Sequence, residues 1–229
     1  MPERRHEPKR IAIAVADDVG VSALLQVPHH AEALLVLAHG AGAGMTHPFM
    51  AAMADGLADR AIATLRYQFP YMERGSKRPD PPPLAQATVR AAVAAAVQVQ
   101  PKLPLFAGGK SFGGRMSSQA QAKAPLKELR GLVFIGFPLH PAGKPSQDRA
   151  KHLAEVKIPM LFLQGTRDAL AELTLLEPLC KSLGKRATLK LFADADHSFH
   201  VPAKSGRKDA EVFAELLDIT AKWIRDHGR

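Results

Sequence analysis

Leu105-Phe106-Ala107-Gly108-Gly109-Lys110-Ser111-Phe112-Gly113-Gly114 carries the chain from a short apolar run into a segment of helical composition. Leu103 to Ala107 reads as a buried strand and Phe112 to Lys123 as the helix behind it, so Gly109-x-Ser111-x-Gly113 falls on a strand-to-helix turn. A serine there is held in a strained conformation with its hydroxyl exposed. The residues two before and two after it must be small so that neighbouring backbone can pass. Gly109 and Gly113 meet that demand. The helix start just after Ser111 adds unpaired N–H groups and a dipole favourable to a developing anion.

The same stretch contains Gly-Lys-Ser, which opens a nucleotide-binding reading. A phosphate loop of that type needs glycine five positions before Gly109, where Pro104 stands inside the strand. The nucleophile turn is therefore preferred, with a merely structural glycine turn as the plain alternative.

A serine hydroxyl is a poor nucleophile without a positioned base, so the turn calls for a histidine and an orienting acid, in the order serine, acid, histidine. Pro159 to Asp168 (PMLFLQGTRD) is a strand ending in a turn with an acid, and Leu189 to His197 (LKLFADADH) a strand ending in a loop with a histidine. Both candidates lie at carboxyl ends of strands, where open α/β sheets bind ligands. Taken singly, Asp168 also reads as the cap of a helix over Leu170 to Ser182, and His197 as an ordinary loop histidine. Asp194 and Asp196 compete for the acid role but sit within three residues of His197 and would have to fold back sharply.

Leu37 to Gly44 (LAHGAGAG) follows an early strand with residues small enough to bring backbone close to a tetrahedral intermediate. The oxyanion donors are assigned to the N–H groups of Phe112 and Ala41, with Gly42 as second choice for the latter. A dinucleotide-binding turn fails here because Met45 occupies the third glycine position.

Outward from the turn, short apolar runs alternate with helical patterns, which predicts an α/β fold with a mostly parallel central sheet of seven to eight strands flanked by helices. Arg10 to Ala16 and Val21 to Val27 flank Asp17-Asp18-Val19-Gly20 and predict an antiparallel edge hairpin. Strands follow at Leu34 to Ala38, Ile62 to Arg66, Leu103 to Ala107, Gly131 to Ile135, Met160 to Gln164 and Ala187 to Phe192. Helices are predicted at Pro48 to Arg60, Leu84 to Val99, Phe112 to Lys123, Leu170 to Ser182 and Ala210 to Asp226. Lys77 to Pro83 is a stiff proline-rich connector rather than a recruitment motif. About two dozen residues separate Ile135 from Met160, too few for a separate lid domain, and the active site should be open. One domain over 1–229 is expected.

The 229 residues are 46% hydrophobic and 23% charged, ordinary globular values, and a chain of this size buries about 70% of its unfolded surface. The single cysteine, Cys180, excludes an internal disulfide and suits a reducing cytoplasm. The charged N-terminus and the lack of any long apolar run predict neither secretion nor a membrane span. The net charge of +9 is scattered, with small clusters at Arg4, Arg5, Lys9 and Arg10, at 74–78 and at 204–208. No aromatic platform interleaves with them, which argues against a nucleic-acid partner. Neither His29-His30 nor the group Asp194, Asp196, His197 and His200 has a recognised metal-ligand spacing, so no metal is expected.

The stretches HGAGAGMTHPFM (39–50), RYQFPYM (66–72), GGKSFGGRM (108–116), FPLHPAGKP (137–145), QGTRD (164–168) and DHSF (196–199) together resemble the dienelactone-hydrolase-like branch of the α/β-hydrolase superfamily. The likeness is closest to the small bacterial group related to Tex30-type and nonspecific-lethal-complex-type hydrolase-like proteins. This resemblance implies a triad of Ser111, Asp168 and His197 in a cofactor-free hydrolase. Some relatives serve as chromatin-complex subunits, which keeps an idle, hydrolase-shaped interaction protein with a basic surface as the alternative. The best-known dienelactone hydrolases use cysteine as nucleophile; Ser111 departs from that pattern, so a dienelactone substrate is not implied.

The reading is a serine hydrolase acting on an ester or thioester of a small or medium acyl group. Phe49, Phe69, Tyr71, Met72, Leu139 and Phe199, from loops expected at the carboxyl edge, are candidates for an apolar acyl site, against plain core packing. Lys110 and Arg167, beside the nucleophile and the acid, would favour anionic substrates unless they point to solvent. No feature of the sequence specifies an oligomeric state.

Overall fold

The computed structural model describes residues 7–228. Arg4 and Arg5 of the N-terminal basic cluster lie outside the described residues. Eight strands form one sheet: β1 (Lys9–Ala16), β2 (Val19–Gln26), β3 (Ala33–Ala38), β4 (Ile62–Tyr67), β5 (Leu105–Lys110), β6 (Leu129–Ile135), β7 (Met160–Gly165) and β8 (Ala187–Phe192). Their spatial order is β1-β2-β4-β3-β5-β6-β7-β8. The β1–β2 hairpin and the β2–β4 pair are antiparallel, and the ladder from β4 to β8 is parallel.

Burial follows from that order. All six residues of β3, β4 and β7 are buried, as expected for strands covered on both faces; β3 is apolar throughout, while β4 and β7 bury Thr64, Arg66 and Gln164 among apolar residues. The edge strand β1 is largely exposed and β8 partly so, and they carry Lys9, Arg10 and Lys190, charges that discourage pairing with another chain.

Six α-helices flank the sheet: α1 (Pro48–Ala58), α2 (Pro70–Glu73), α3 (Pro82–Val99), α4 (Phe112–Lys123), α5 (Leu173–Leu183) and α6 (Asp209–Gly228). One face is covered by α1 and α6, with Met50, Met53, Leu57, Leu216 and Ile224 packed on Leu35, Leu37, Val133 and Leu161. The other face is covered by α3, α4 and α5, through Val89, Met116, Ala120 and Leu176. Gly56 allows α1 to meet α6, since a Cβ there would stand 2.3 Å from Leu217 Cδ1. Gly131 likewise leaves room on β6 for Trp223, where a Cβ would come within 2.6 Å of the indole. Burying that ring contributes roughly 2–3 kcal/mol.

The predicted elements are present, with shifts that have local causes. The hairpin turn tightens to Asp17-Asp18 because Val19 and Gly20 already pair with Ala16 and Ala14. The prolines at 82 and 83 join α3, because a first helical turn has no use for their missing N–H groups. Asp80 ties the connector down, accepting from Tyr71 N–H at 2.9 Å and Arg74 at 2.7 Å. The helix expected from Leu170 starts instead at Leu173 with Glu172 as its cap. Residues 136–159, between β6 and β7, hold a loop and a 3-10 helix over Asp148–Glu155, with no inserted domain. The short helix α2 and the 3-10 segments are not foreseen from the sequence, being too brief to show an apolar period.

Candidate active site

Ser111 stands between β5 and α4 at φ 50° and ψ −112°, a conformation costly for a residue with a side chain. Its surroundings enforce it. A Cβ on Gly109 would lie 2.1 Å from Ala38 O, and one on Gly113 would lie 2.6 Å from both Ala38 Cβ and His39 O. Backbone of the β3 loop occupies the space that larger residues would need, and Ser111 N–H is tied to Ile135 O at 3.0 Å. The sharp turn lifts the hydroxyl into a cleft of about 250 Å³, bordered also by Ala41, Phe49, Met50, Lys110 and His197.

Asp168 lies in the turn after β7, with its side chain fully buried. Its Oδ2 accepts from His197 Nδ1 at 2.7 Å and from Gln164 Nε2, and its Oδ1 accepts from Leu170 N–H at 2.8 Å. Three donors hold the carboxyl in one orientation. Asp168 is therefore engaged with the histidine rather than capping α5. With Nδ1–H given to Asp168, Nε2 is the ring nitrogen left without a proton in neutral His197, and the residue borders the same cleft as Ser111.

The β8–α6 loop that carries His197 crosses the end of β7 closely. A Cβ on Gly165 would stand 2.3 Å from Ala195 O, and Arg167 N–H donates to that carbonyl at 2.9 Å. Asp196 shapes the loop, its Oδ1 accepting from Ser198 N–H at 2.7 Å and His200 N–H at 3.0 Å. Asp194 and Phe199 take positive φ values of 57° and 66° on either side of His197. Together with Ser111 they are three of the four non-glycine residues with positive φ among those described, a clustering typical of functional sites.

The oxyanion candidates separate. Phe112 is the first residue of α4, and its N–H is one of those that helix bonding leaves free. Gly42 N–H donates to Tyr71 Oη at 3.0 Å, and Ala43 N–H closes a turn on Gly40 O at 3.2 Å. Ala41, on the cleft wall, is thus the better placed of the two loop candidates, and Gly42 is committed elsewhere. The loop is anchored by His39, fully buried, whose Nδ1 bonds Gly40 O at 2.8 Å while Nε2 accepts from Phe69 N–H at 3.2 Å. Burial lowers the pKa of this ring, in keeping with the neutral form that both bonds require.

Of the six expected acyl-site residues, Phe49 borders the cleft. Phe199 borders an adjoining depression of about 470 Å³ that shares Phe49 and Ser198 with it. Phe69, Tyr71 and Leu139 do not line the cleft; they are buried in the core, where Phe69 and Tyr71 stack near Phe112. Met72 packs against that cluster and reaches toward Gly44. The cause is the helix α2, which turns the 69–72 segment inward at the end of β4. Sequence reasoning did not single out Met50, Gln164, His39 or the second role of Tyr71. Gln164 is invisible in sequence as anything but the last polar residue of a strand.

Lys110 does not project freely into the cleft, since its ammonium donates to His197 O. Arg167 is exposed and does not line it. Among the described residues no group of three or more His, Cys, Asp or Glu is arranged to hold a metal, and no helix is long and apolar enough to cross a membrane.

An eight-stranded, mainly parallel sheet with a serine elbow after a central strand defines the α/β-hydrolase class. The family described as alpha/beta hydrolase domain matches residues 31–225, and the chain belongs to it. Among solved structures, a dienelactone hydrolase from Anabaena variabilis superposes with a TM-score of 0.77 at 21% identity, covering 98% of this chain and 100% of that one. A serine hydrolase without a lid from Xanthomonas campestris gives 0.73 at 20% identity with 95% of each chain covered. The esterase domain of a Rhodothermus marinus protein gives 0.74 at 15% identity, covering 97% of this chain and all of the other. At these identities the likeness is one of fold.

Proposed function

We propose that the chain is a single-domain serine hydrolase that cleaves esters or thioesters of small or medium acyl groups through an acyl-enzyme. The observation that carries this is the 2.7 Å bond between His197 Nδ1 and a fully buried Asp168, beside a strained Ser111 that opens into the same cleft. In the first half-reaction His197 Nε2 takes the hydroxyl proton as Ser111 Oγ attacks the carbonyl carbon. The N–H groups of Phe112 and Ala41 receive the oxyanion. As the intermediate collapses, the bond to the leaving oxygen or sulfur breaks and His197 returns the proton to it. Water then attacks the acyl carbon, His197 takes its proton, and Ser111 leaves with that proton restored, so one water is consumed per acid and alcohol or thiol released.

Phe49 and Met50 make the acyl wall in this reading, and the depression past Ser198 and Phe199 accommodates a longer chain. Rates that stay flat across a series of acyl lengths would contradict that assignment. The resemblance to the dienelactone-hydrolase-like branch supports the same chemistry, with serine in place of the usual cysteine. Cys180 is buried, and its thiol is pushed up to about 12 by burial and by Glu177, which disfavours the reactive thiolate.

A fluorophosphonate probe tests the reading directly. Labelling at Ser111, located by mass spectrometry and lost in both Ser111→Ala and His197→Ala, is the expected result. No labelling of the folded protein would replace the enzyme with a hydrolase-shaped binding protein.

A further inference from the structure

Lys110 ends β5 and precedes Ser111, yet its side chain is directed at the general base. The stem passes Gly40, where a Cβ would stand 3.5 Å from Lys110 Cγ, and the ammonium ends beside Gly136, where a Cβ would stand 2.9 Å from Nζ. Nζ donates to the main-chain carbonyl of His197 itself and lies 5.5 Å from the Phe199 ring centroid, a cation–π contact within the same loop. The charges of Asp168 and Asp196 both act on it.

The Asp168 bond fixes one point of the His197 ring but leaves the ring free to swing about that point unless the backbone behind it is also held. We infer that Lys110 is a positioning residue for the base: its ammonium ties the β8–α6 loop to the end of β5, and so sets where His197 Nε2 stands relative to Ser111. This rests on the serine-hydrolase reading. A displacement of about 1 Å at a reacting group costs on the order of 10²-fold in rate, so a second anchor matters.

Thermodynamics separates this role from structural support. Burial brings Lys110 down to about 8. Between pH 8 and the ordinary lysine value, the unfolded chain still binds a proton that the folded chain has lost, so stability rises with pH across that window. At neutral pH the charged ammonium is therefore a net cost to folding, and its removal should not destabilise the protein.

The test compares full-length wild type with Lys110→Met, which keeps most of the apolar stem. Three quantities are read: the melting temperature, amide hydrogen exchange over residues 193–201, and the rate of fluorophosphonate labelling at Ser111. The variant is expected to melt at the same temperature or higher, to exchange faster in that loop, and to label at least tenfold more slowly. In Lys110→Ala, added propylammonium is expected to restore labelling where sodium at equal ionic strength does not. Wild-type labelling rates in Lys110→Met would overturn the proposal, as would slow labelling with unchanged exchange. A wild-type protein that does not label removes the hydrolase reading instead, and exchange in the variant still decides whether Lys110 holds the loop.

Discussion

The turn from β5 to α4 and the loop from β8 to α6 face each other across one cleft and hold their side chains by opposite means. Ser111 is fixed by close steric contact: Gly109 and Gly113 admit the backbone of Ala38 and His39, and Ser111 N–H is tied to Ile135 O. His197 is fixed by partners 29 and 87 residues away, Asp168 and Lys110, and by a carbonyl of its own loop bonded to Arg167. The first device asks only for small residues at two positions beside β3, a demand that a five-residue motif can state. The second asks for particular polar side chains from β5 and from the turn after β7, and it offers more places where one substitution uncouples geometry from stability.

Asp168→Asn should sharpen that contrast most. It keeps the shape of the turn but reverses the hydrogen-bond pattern at His197 Nδ1, and the acylation rate should fall about 10⁴-fold while the melting temperature moves little. Ester turnover and thermal melting on one preparation check both halves, and a loss below tenfold would mean that Asp168 is not the orienting acid.

Gly109→Ala attacks the other device and should show the opposite signature. Its Cβ would meet Ala38 O at 2.1 Å, on backbone that cannot swing aside, at a φ of 154°. A loss of about 3 kcal/mol in denaturant unfolding is expected, with activity falling because β3 and β5 part. An unchanged unfolding midpoint would show that the turn relaxes more readily than its packing implies.

The smallest effect is expected at Tyr71→Phe. The hydroxyl that accepts Gly42 N–H is lost, leaving the loop that carries Ala41 less well held. Burial pushes the Tyr71 phenol pKa up, so the wild-type group is a neutral acceptor throughout the working range. A fall in kcat of up to about tenfold at little changed KM is the expected split, since the oxyanion develops only after binding. A raised KM alone would assign Tyr71 to substrate binding.

The contrast between the two regions also explains what was legible beforehand. The Gly-x-Ser-x-Gly turn, the acid at the end of one strand and the histidine after the next are local signals, each tied to a strand end that apolar runs reveal. The same holds for the strand order's raw material: an unbroken apolar run for β3, mostly apolar runs for β4 and β7, and charged edges at β1 and β8. The aromatic residues were less transparent. Phe69, Tyr71 and Leu139 look from sequence like any apolar group near a strand's carboxyl end, and their inward placement depends on α2 and on the pairing of Leu139 N–H with Leu170 O, 31 residues on.

By itself the sequence determined the alternation of strands and helices and the Gly-x-Ser-x-Gly turn at Ser111, and it offered Asp168 and His197 as candidate partners, because period, small-residue spacing and strand ends are written in neighbouring positions. Tertiary structure alone decided that Asp168 bonds His197 rather than capping a helix. It also decided that Lys110 turns to the histidine loop rather than the substrate, and that Gly42 is spent on Tyr71 while Ala41 stays on the cleft wall. Each of these is a choice among hydrogen-bond partners, and a partner exists only when distant strands have brought it within about 3 Å.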